Sequence, residues 1–157
     1  MPMISEIEKE FLLESNAIED VFDHTSFLQA RYAWEYLKSQ KEMSSHVVLK
    51  THKILMLKQP LQPDEKGYFR KVPVYIGGHQ ALNHSAVKER MHIWCLNAFI
   101  HPQYWKEHHV EYEKIHPFVD GNGRTGRMFM NWERLKAGLP ILVIKADERH
   151  EYYKWFN

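Results

Sequence analysis

Twelve consecutive residues, HPFVDGNGRTGR at positions 116–127, gather a histidine, an acid, three glycines, an asparagine and two arginines. A Gly-Asn-Gly turn running straight into a helix presents free backbone N–H groups at a positive helix end, which is an anion site. Arg124 and Arg127, at i and i+3 on the first helical turns, can face the same anion. His116 beside such a cradle suggests proton transfer, and Asp120 lies four residues further on. The residue types therefore point to chemistry on a phosphate-bearing ligand.

Familiar phosphate loops fit poorly. GNGRTG matches G-x-G-x-x-G, and Asp147 mimics the ribose-binding acid. A dinucleotide fold, however, needs a buried strand before the loop and further βα units after it. Here the preceding segment carries Glu111, Glu113, Lys114 and Pro117, and only 30 residues follow Arg127. The triphosphate loop G-x-x-x-x-G-K-[ST] fails because Arg127 and Met128 stand where lysine and hydroxyl belong. A glycine-rich turn that merely starts a helix would leave the charges as a solvated face.

The loop needs helices to hold it, and most of the chain reads helical. Ile4, Ile7, Phe11 and Ile18 keep a 3.6-residue period after a cap near Ser5. A second helix is predicted over 26–39, with Leu28, Tyr32 and Tyr36 on one face, and a third over 45–57. Val87, Met91, Trp94, Cys95 and Ala98 stripe a fourth. Trp105, His109, Tyr112 and His116 mark a fifth. The sixth runs over 123–136 with Thr125, Met128, Trp132 and Leu135 in register, and Gly138 ends it. A last helix begins within 147–157. Between Gly67 and Gly78, GYFRKVPVYIGG alternates as a strand or hairpin, with Tyr68, Arg70, Val72, Val74 and Ile76 opposite Phe69, Lys71, Pro73 and Tyr75 along an exposed edge. Residues 139–145, LPILVIK, suit either a strand or a buried loop.

Composition sets the bounds. A chain of 157 residues with 44% hydrophobic and 26% charged residues suffices for one domain with its own core. A formal net charge of +1 gives no global basic excess, so nucleic acid is not an expected partner. No signal peptide or membrane-length apolar run is visible, and the single Cys95 sits on a core stripe. A cytoplasmic protein is the expectation. His101, His108, His109 and His116 lack the H-E-x-x-H spacing of a zinc hydrolase.

At every specified position the loop resembles the Fic-domain motif H-P-F-x-[DE]-G-N-G-R-x-x-R. HKILM (52–56), GYFRKVPVYIGG, HVEYEKIHPF and GLPILVIKADERHEYY resemble further parts of that family, so the likeness covers nearly the whole chain. It implies a mainly α fold: one Fic domain over 1–157, a helical bundle with a short β-hairpin flap at 67–78 and a catalytic loop at 116–127. It also implies transfer of AMP from ATP to a protein hydroxyl with release of pyrophosphate. His116 would be the general base, and Asp120 would hold Mg2+. Gly121, Asn122 and Gly123 would stabilise phosphate charge, with Arg124 at the β-phosphate and Arg127 at the γ-phosphate. The related Doc group, which phosphorylates its targets, carries lysine where this chain has Gly123. The flap (Val72, Val74, Tyr75, Ile76) would pair with the backbone of a target protein.

SNAIED, 15–20, resembles the family's inhibitory motif [ST]-x-x-x-E-[GN] through Ser15 and Glu19; Asp20 departs from it. The expected brake is residues 1–22, with Glu19 on Arg127 in place of the γ-phosphate. Other readings stay open: an idle or partner-controlled Fic-fold binding module, transfer of another nucleotide, or removal of AMP. Self-modification and an oligomer are compatible with the sequence, which does not name the target.

Overall fold

The computed structural model describes residues 4–157, so residues 1–3 of the expected inhibitory segment lie outside the described part. Its elements are α1 (Glu6–Ile18), α2 (His24–Lys38), α3 (Ser45–Met56), β1 (Tyr75–Ile76), β2 (His79–Gln80), α4 (Val87–Ile100), α5 (Trp105–Ile115), α6 (Asn122–Lys136) and α7 (Arg149–Tyr153). The architecture is mainly α with a small antiparallel hairpin. α6 is the central rod: Arg124 through Glu133 are all buried. Around it pack Trp34 and Leu37 of α2, Leu55 and Met56 of α3, Met91 of α4, and Tyr112 and Ile115 of α5.

Local chemistry starts the helices. Ser5 and Glu8 form a reciprocal capping box on α1, while Asp23 and Ser44 cap α2 and α3. Glu8 also docks α1 on α2, accepting from the Trp34 indole at 2.7 Å and the Lys38 ammonium at 2.5 Å. Burial works against its charge, but the bonds from Lys38 and Ser5 outweigh it and hold the carboxyl at about 2. The Phe11 ring meets Trp34 edge-on at 5.4 Å.

α1 ends where the inhibitory resemblance faltered. The N–H of Val21 reaches back to Asn16 and that of Asp20 to Ala17, closing the helix with Asp20 left-handed at φ 58°. That conformation explains why glycine or asparagine suits this position. Asp20 gives back only a loose, exposed pairing with Arg149 at 3.7 Å. Asp20→Gly is therefore expected to stabilise the protein by about 1 kcal/mol, checked by urea unfolding. A loss of stability would contradict this account of the cap.

Several expected faces are corrected. Ile7 is 46% exposed, and the buried face of α1 is Phe11, Leu12, Ser15, Asn16 and Ile18. α2 buries Ala30, Ala33, Trp34 and Leu37, with Tyr32 outside. Leu135 is also exposed. The hairpin is later and shorter than the alternation suggested: Tyr75 pairs with Gln80 and Ile76 with His79, turning at Gly77–Gly78. Residues 67–74 form no strand. Residues 139–145 also run without a ladder; the Asn131 amide clasps the Leu142 backbone on both its N–H (2.8 Å) and its carbonyl (3.1 Å). Among the described residues no helix is long and apolar enough to cross a membrane.

Candidate active site

The loop between α5 and α6 carries the clustered polar residues. α5 ends at His116, which is left-handed at φ 49°. That strain is held by fixed neighbours. The His116 N–H bonds Tyr112, and its carbonyl accepts from Arg70 Nε at 2.7 Å. The ring Nδ1 lies 3.2 Å from the Glu113 carbonyl, which can only accept, so Nδ1 carries the proton and Nε2 keeps its lone pair. Burial pushes the imidazole below its ordinary value and keeps it neutral at physiological pH.

Beyond His116 the loop is locked from three sides. The Phe118 ring is fully buried and stacks on His52 with centroids 3.6 Å apart. His52 Nδ1 accepts from Gly67 N–H at 2.9 Å, so its Nε2–H donates to the Asp120 carbonyl at 2.8 Å. Burial lowers this histidine to about 4, keeping that tautomer neutral. The Asn122 side chain, expected at the phosphates, instead closes a ring with Phe118: its oxygen takes the Phe118 N–H and its amide donates to the Phe118 carbonyl, both at 2.8 Å. Each end of that amide makes one bond to the loop, and one amide N–H remains beyond them. At Gly121, with φ 86°, a side chain would strike the Met56 sulfur at 2.8 Å.

Arg70 is the largest departure from the sequence reading. Predicted on an exposed edge, it is 3% exposed. Its guanidinium donates to the carbonyls of His116, Val72, Ile115 and Leu82, binding the flap segment to the histidine's backbone.

The two loop arginines are both buried but differently satisfied. Arg124 lies 3.9 Å from the Asp120 carboxylate, and its Nε and Nη1 have no partner among the described residues. A buried guanidinium with orphan donors is a site that calls for an anion. Arg127 is gripped by α1: Nε donates to the Ser15 hydroxyl at 2.7 Å, and Nη2 to the Ser15 carbonyl at 3.0 Å and to the Glu19 carboxylate. Its remaining Nη1 donates to the Tyr152 hydroxyl at 3.3 Å. Behind it, His109 Nδ1–H donates to the Gly126 carbonyl at 3.1 Å, so Nε2 must accept from Tyr152 at 2.7 Å. Burial lowers His109 to about 3, which fixes that polarity and turns a Tyr152 lone pair toward Arg127. At Gly123 a Cβ would lie 2.5 Å from the Glu19 carboxylate, so the glycine makes room for it.

His116, Asp120, the 121–123 segment, Glu19 and Arg127 open on one cavity of about 690 Å³, which Arg124 does not line. His116, Asp120 and the 121–123 backbone form its floor, Glu19 and Arg127 one end, and Ile76 and the β2 residues His79 and Gln80 the flap side. Of the expected flap residues, Ile76 reaches the cavity, while Val72 and Tyr75 face solvent. Tyr153 and Phe156, not foreseen from the sequence, add an aromatic wall. The Asp120 side chain is 61% exposed, with Oδ1 accepting from Gly121 N–H at 2.8 Å. A single accessible carboxylate beside a phosphate-sized space suits Mg2+, which takes few protein oxygens and completes its shell from phosphate and water. His108 is occupied elsewhere, 2.5 Å from the buried Glu133.

The family model described as Fic/DOC family matches residues 42–133, which include the whole loop. The chain belongs to the Fic/DOC family. Among Fic relatives, a protein named Protein adenylyltransferase Fic from Culex quinquefasciatus is 40% identical over 105 residues, covering 62% of this chain and 21% of that protein. One of the same name from Drosophila mojavensis is 32% identical over 165 residues, covering 98% of this chain and 32% of its own length. The chain thus spans about a third or less of these curated relatives. Solved Fic structures share the fold: Fic-1 from C. elegans superposes with TM-score 0.82 at 21% identity, over 97% of this chain and 55% of that one. A Fic family protein from Desulfovibrio desulfuricans G20 superposes with TM-score 0.77 at 25% identity, over 95% of this chain and 55% of that one.

Proposed function

We propose that this Fic protein is a protein adenylyltransferase, moving AMP from ATP to a target hydroxyl and held in check by Glu19. The observation that carries the reading is the shared cavity of a neutral His116 with a free Nε2, an accessible Asp120, and an end closed by Arg127 and Glu19. The adenylyltransferase names of its Fic relatives support the same chemistry.

In this mechanism the triphosphate lies along the 121–123 backbone, whose N–H groups face its oxygens at the start of α6. Arg124 would grip the β-phosphate, which requires its buried guanidinium to turn toward the cavity, and Arg127 the γ-phosphate. Asp120 would hold Mg2+, which when bound neutralises phosphate charge and polarises the α-phosphorus. Tyr153 and Phe156 offer apolar faces to the base. His116 Nε2 takes the proton of the target hydroxyl. Its oxygen bonds the α-phosphorus, the bond to the bridging oxygen breaks, and pyrophosphate leaves. The main-chain edge of β1, with Ile76 and Tyr75, holds the target strand in register.

Glu19 prevents this by occupying Arg127, so ATP that enters lacks its γ-phosphate contact. Ser15 adds two further contacts to the same guanidinium, so the brake is a two-residue grip.

Asp120→Ala is expected to weaken Mg2+-dependent ATP binding and to remove transfer, measured by calorimetry and by label incorporation. Transfer that persists in chelator without divalent ions would dismiss the role of Asp120. Val74→Pro tests the flap. Its carbonyl accepts from Ala81 N–H at 2.9 Å at the hairpin base; proline keeps that acceptor but fixes φ and removes the residue's own N–H. The expected result is impaired modification of protein targets with ATP affinity nearly unchanged. Equal loss of both would assign the hairpin to nucleotide binding.

A further inference from the structure

Glu113, one turn before His116 on α5, is a carboxylate for which the reaction above has no use. Its Oε2 lies 4.0 Å from His116 Nδ1, while its Oε1 is buried with no hydrogen-bond partner among the described residues. Space for it is provided across the helix pair. A Cβ at Gly126 would lie 2.8 Å from Oε1 and 2.9 Å from the Tyr112 ring. Gly126 has an ordinary helical backbone, absent from the positive-φ glycines, so no turn demands it. Glycine inside a helix costs about 1 kcal/mol relative to alanine. The fold thus keeps a weak helix residue and an unsatisfied acid together, directly behind the histidine.

We infer that Glu113 is a positioning residue for the base: seated in the gap at Gly126, it steadies the His116 imidazole as that ring takes up the target's proton. The inference rests on His116 being the base. The Nδ1–H bond to the Glu113 carbonyl turns Nε2 toward the substrate. When Nε2 gains the hydroxyl proton above about pH 7, where Glu113 is ionised, the ring becomes a cation and the carboxylate 4.0 Å from Nδ1 offsets its charge. The imidazolium returns its proton to solvent after pyrophosphate leaves.

The other charges around the pair are accounted for. His116 is faced by Arg70, Glu19 and Asp120, and Glu113 by Arg127 and Glu19. Burial is the main cause that raises the Glu113 carboxyl from its ordinary 4.5 to about 7, with Arg127 opposing it and Glu19 adding to it. Between pH 4.5 and 7 the unfolded chain ionises this group and the native state does not, so the wild type loses stability across that window and stays destabilised above it.

The test uses Glu113→Gln, of the same shape without the charge, beside Glu113→Asp, both in the Glu19→Gly background. For Glu113→Gln the expected maximal transfer rate is about tenfold lower, within what support of a general base supplies, with the KM for ATP unchanged. The rate loss is largest above about pH 7, where Glu113 is a carboxylate, and the step that its ionisation puts into the His116 side-chain nitrogen NMR shifts near that pH is absent from the variant. The melting temperature at pH 8 rises rather than falls, because a buried orphan charge has gone; Glu133, also raised to about 7, is common to both proteins and cancels. Glu113→Asp restores part of the rate. Absence of that step from the His116 shifts of the parent protein, with an unchanged rate in Glu113→Gln, would overturn the inference. So would a rate loss that tracks a fall in melting temperature. If the Glu19→Gly parent transfers no AMP, the adenylyltransferase reading fails, and the NMR titration still decides the Glu113–His116 coupling.

Discussion

Glu19→Gly raises the initial rate of AMP transfer at saturating Mg–ATP by about 10- to 100-fold. The expectation follows from the geometry of Arg127, whose Nη2 is engaged by the Glu19 carboxylate deep in the cavity. Charge-assisted contacts of this kind contribute about 1.5–3 kcal/mol, and one of them must be displaced before a γ-phosphate can take its place. Removing the carboxylate also empties the space above Gly123 that it now fills. The two Ser15 contacts remain, so α1 stays docked and the variant stays folded. Adding Ser15→Ala should raise the rate again, whereas adding Arg127→Ala should cancel the gain by removing the group being released. Initial rates of the four proteins decide the matter. A Glu19→Gly rate no higher than wild type would make the Ser15–Glu19 grip an ordinary helix-docking contact.

The second large effect runs the other way. His116→Ala should lose transfer by about 100-fold or more, the usual scale for a general base, while ATP binding is nearly unchanged. The separation is expected because the phosphate contacts lie on α6 and the loop backbone, whereas the imidazole meets the incoming hydroxyl. The loop should survive the change, since Arg70 and Tyr112 hold the backbone of residue 116 and not its ring. Calorimetric ATP affinity beside transfer rate checks both halves. Wild-type transfer by His116→Ala would remove the histidine from the reaction.

What the sequence disclosed depends on how far apart interacting residues stand. The loop was legible because its chemistry is contiguous: histidine, acid, glycines and arginines fall within one turn and one helix start, and the folded chain brings His116, Asp120, Gly121, Gly123 and Arg127 to one cavity while Arg124 stays buried behind it. The Ser5 cap was legible for the same reason, its partner Glu8 being three residues away. The Ser15–Glu19 pair could be read only through resemblance, because Arg127 lies 112 residues from Ser15.

Arg70 was misread because alternation reports local periodicity, whereas its burial comes from carbonyls at 115, 116 and 82 that only the fold brings near. Ile7 was misread in the opposite sense. Hydrophobic spacing proposed a stripe through Ile7, but α1 faces the core with Ser15 and Asn16 among its buried residues, and Ile7 lies outside. Asn122 shows a further limit: its type suits a phosphate, and nothing in the sequence shows that its amide also ties residues 118 and 122 together. Tyr153 and Phe156 reach the cavity from a short C-terminal helix and the turn after it, which no periodicity connects to the loop.

The central claim, that AMP is the group transferred, is tested most directly by where a radiolabel goes. Glu19→Gly protein is incubated with Mg2+ and ATP labelled at either the α- or the γ-phosphate, alone and with added lysate protein, and the polypeptides are separated. Gly123, the backbone that leaves the triphosphate lying toward Arg127, predicts label on protein from the α-phosphate and none from the γ-phosphate, which departs in pyrophosphate. Label from the γ-phosphate alone, or from neither, would contradict it.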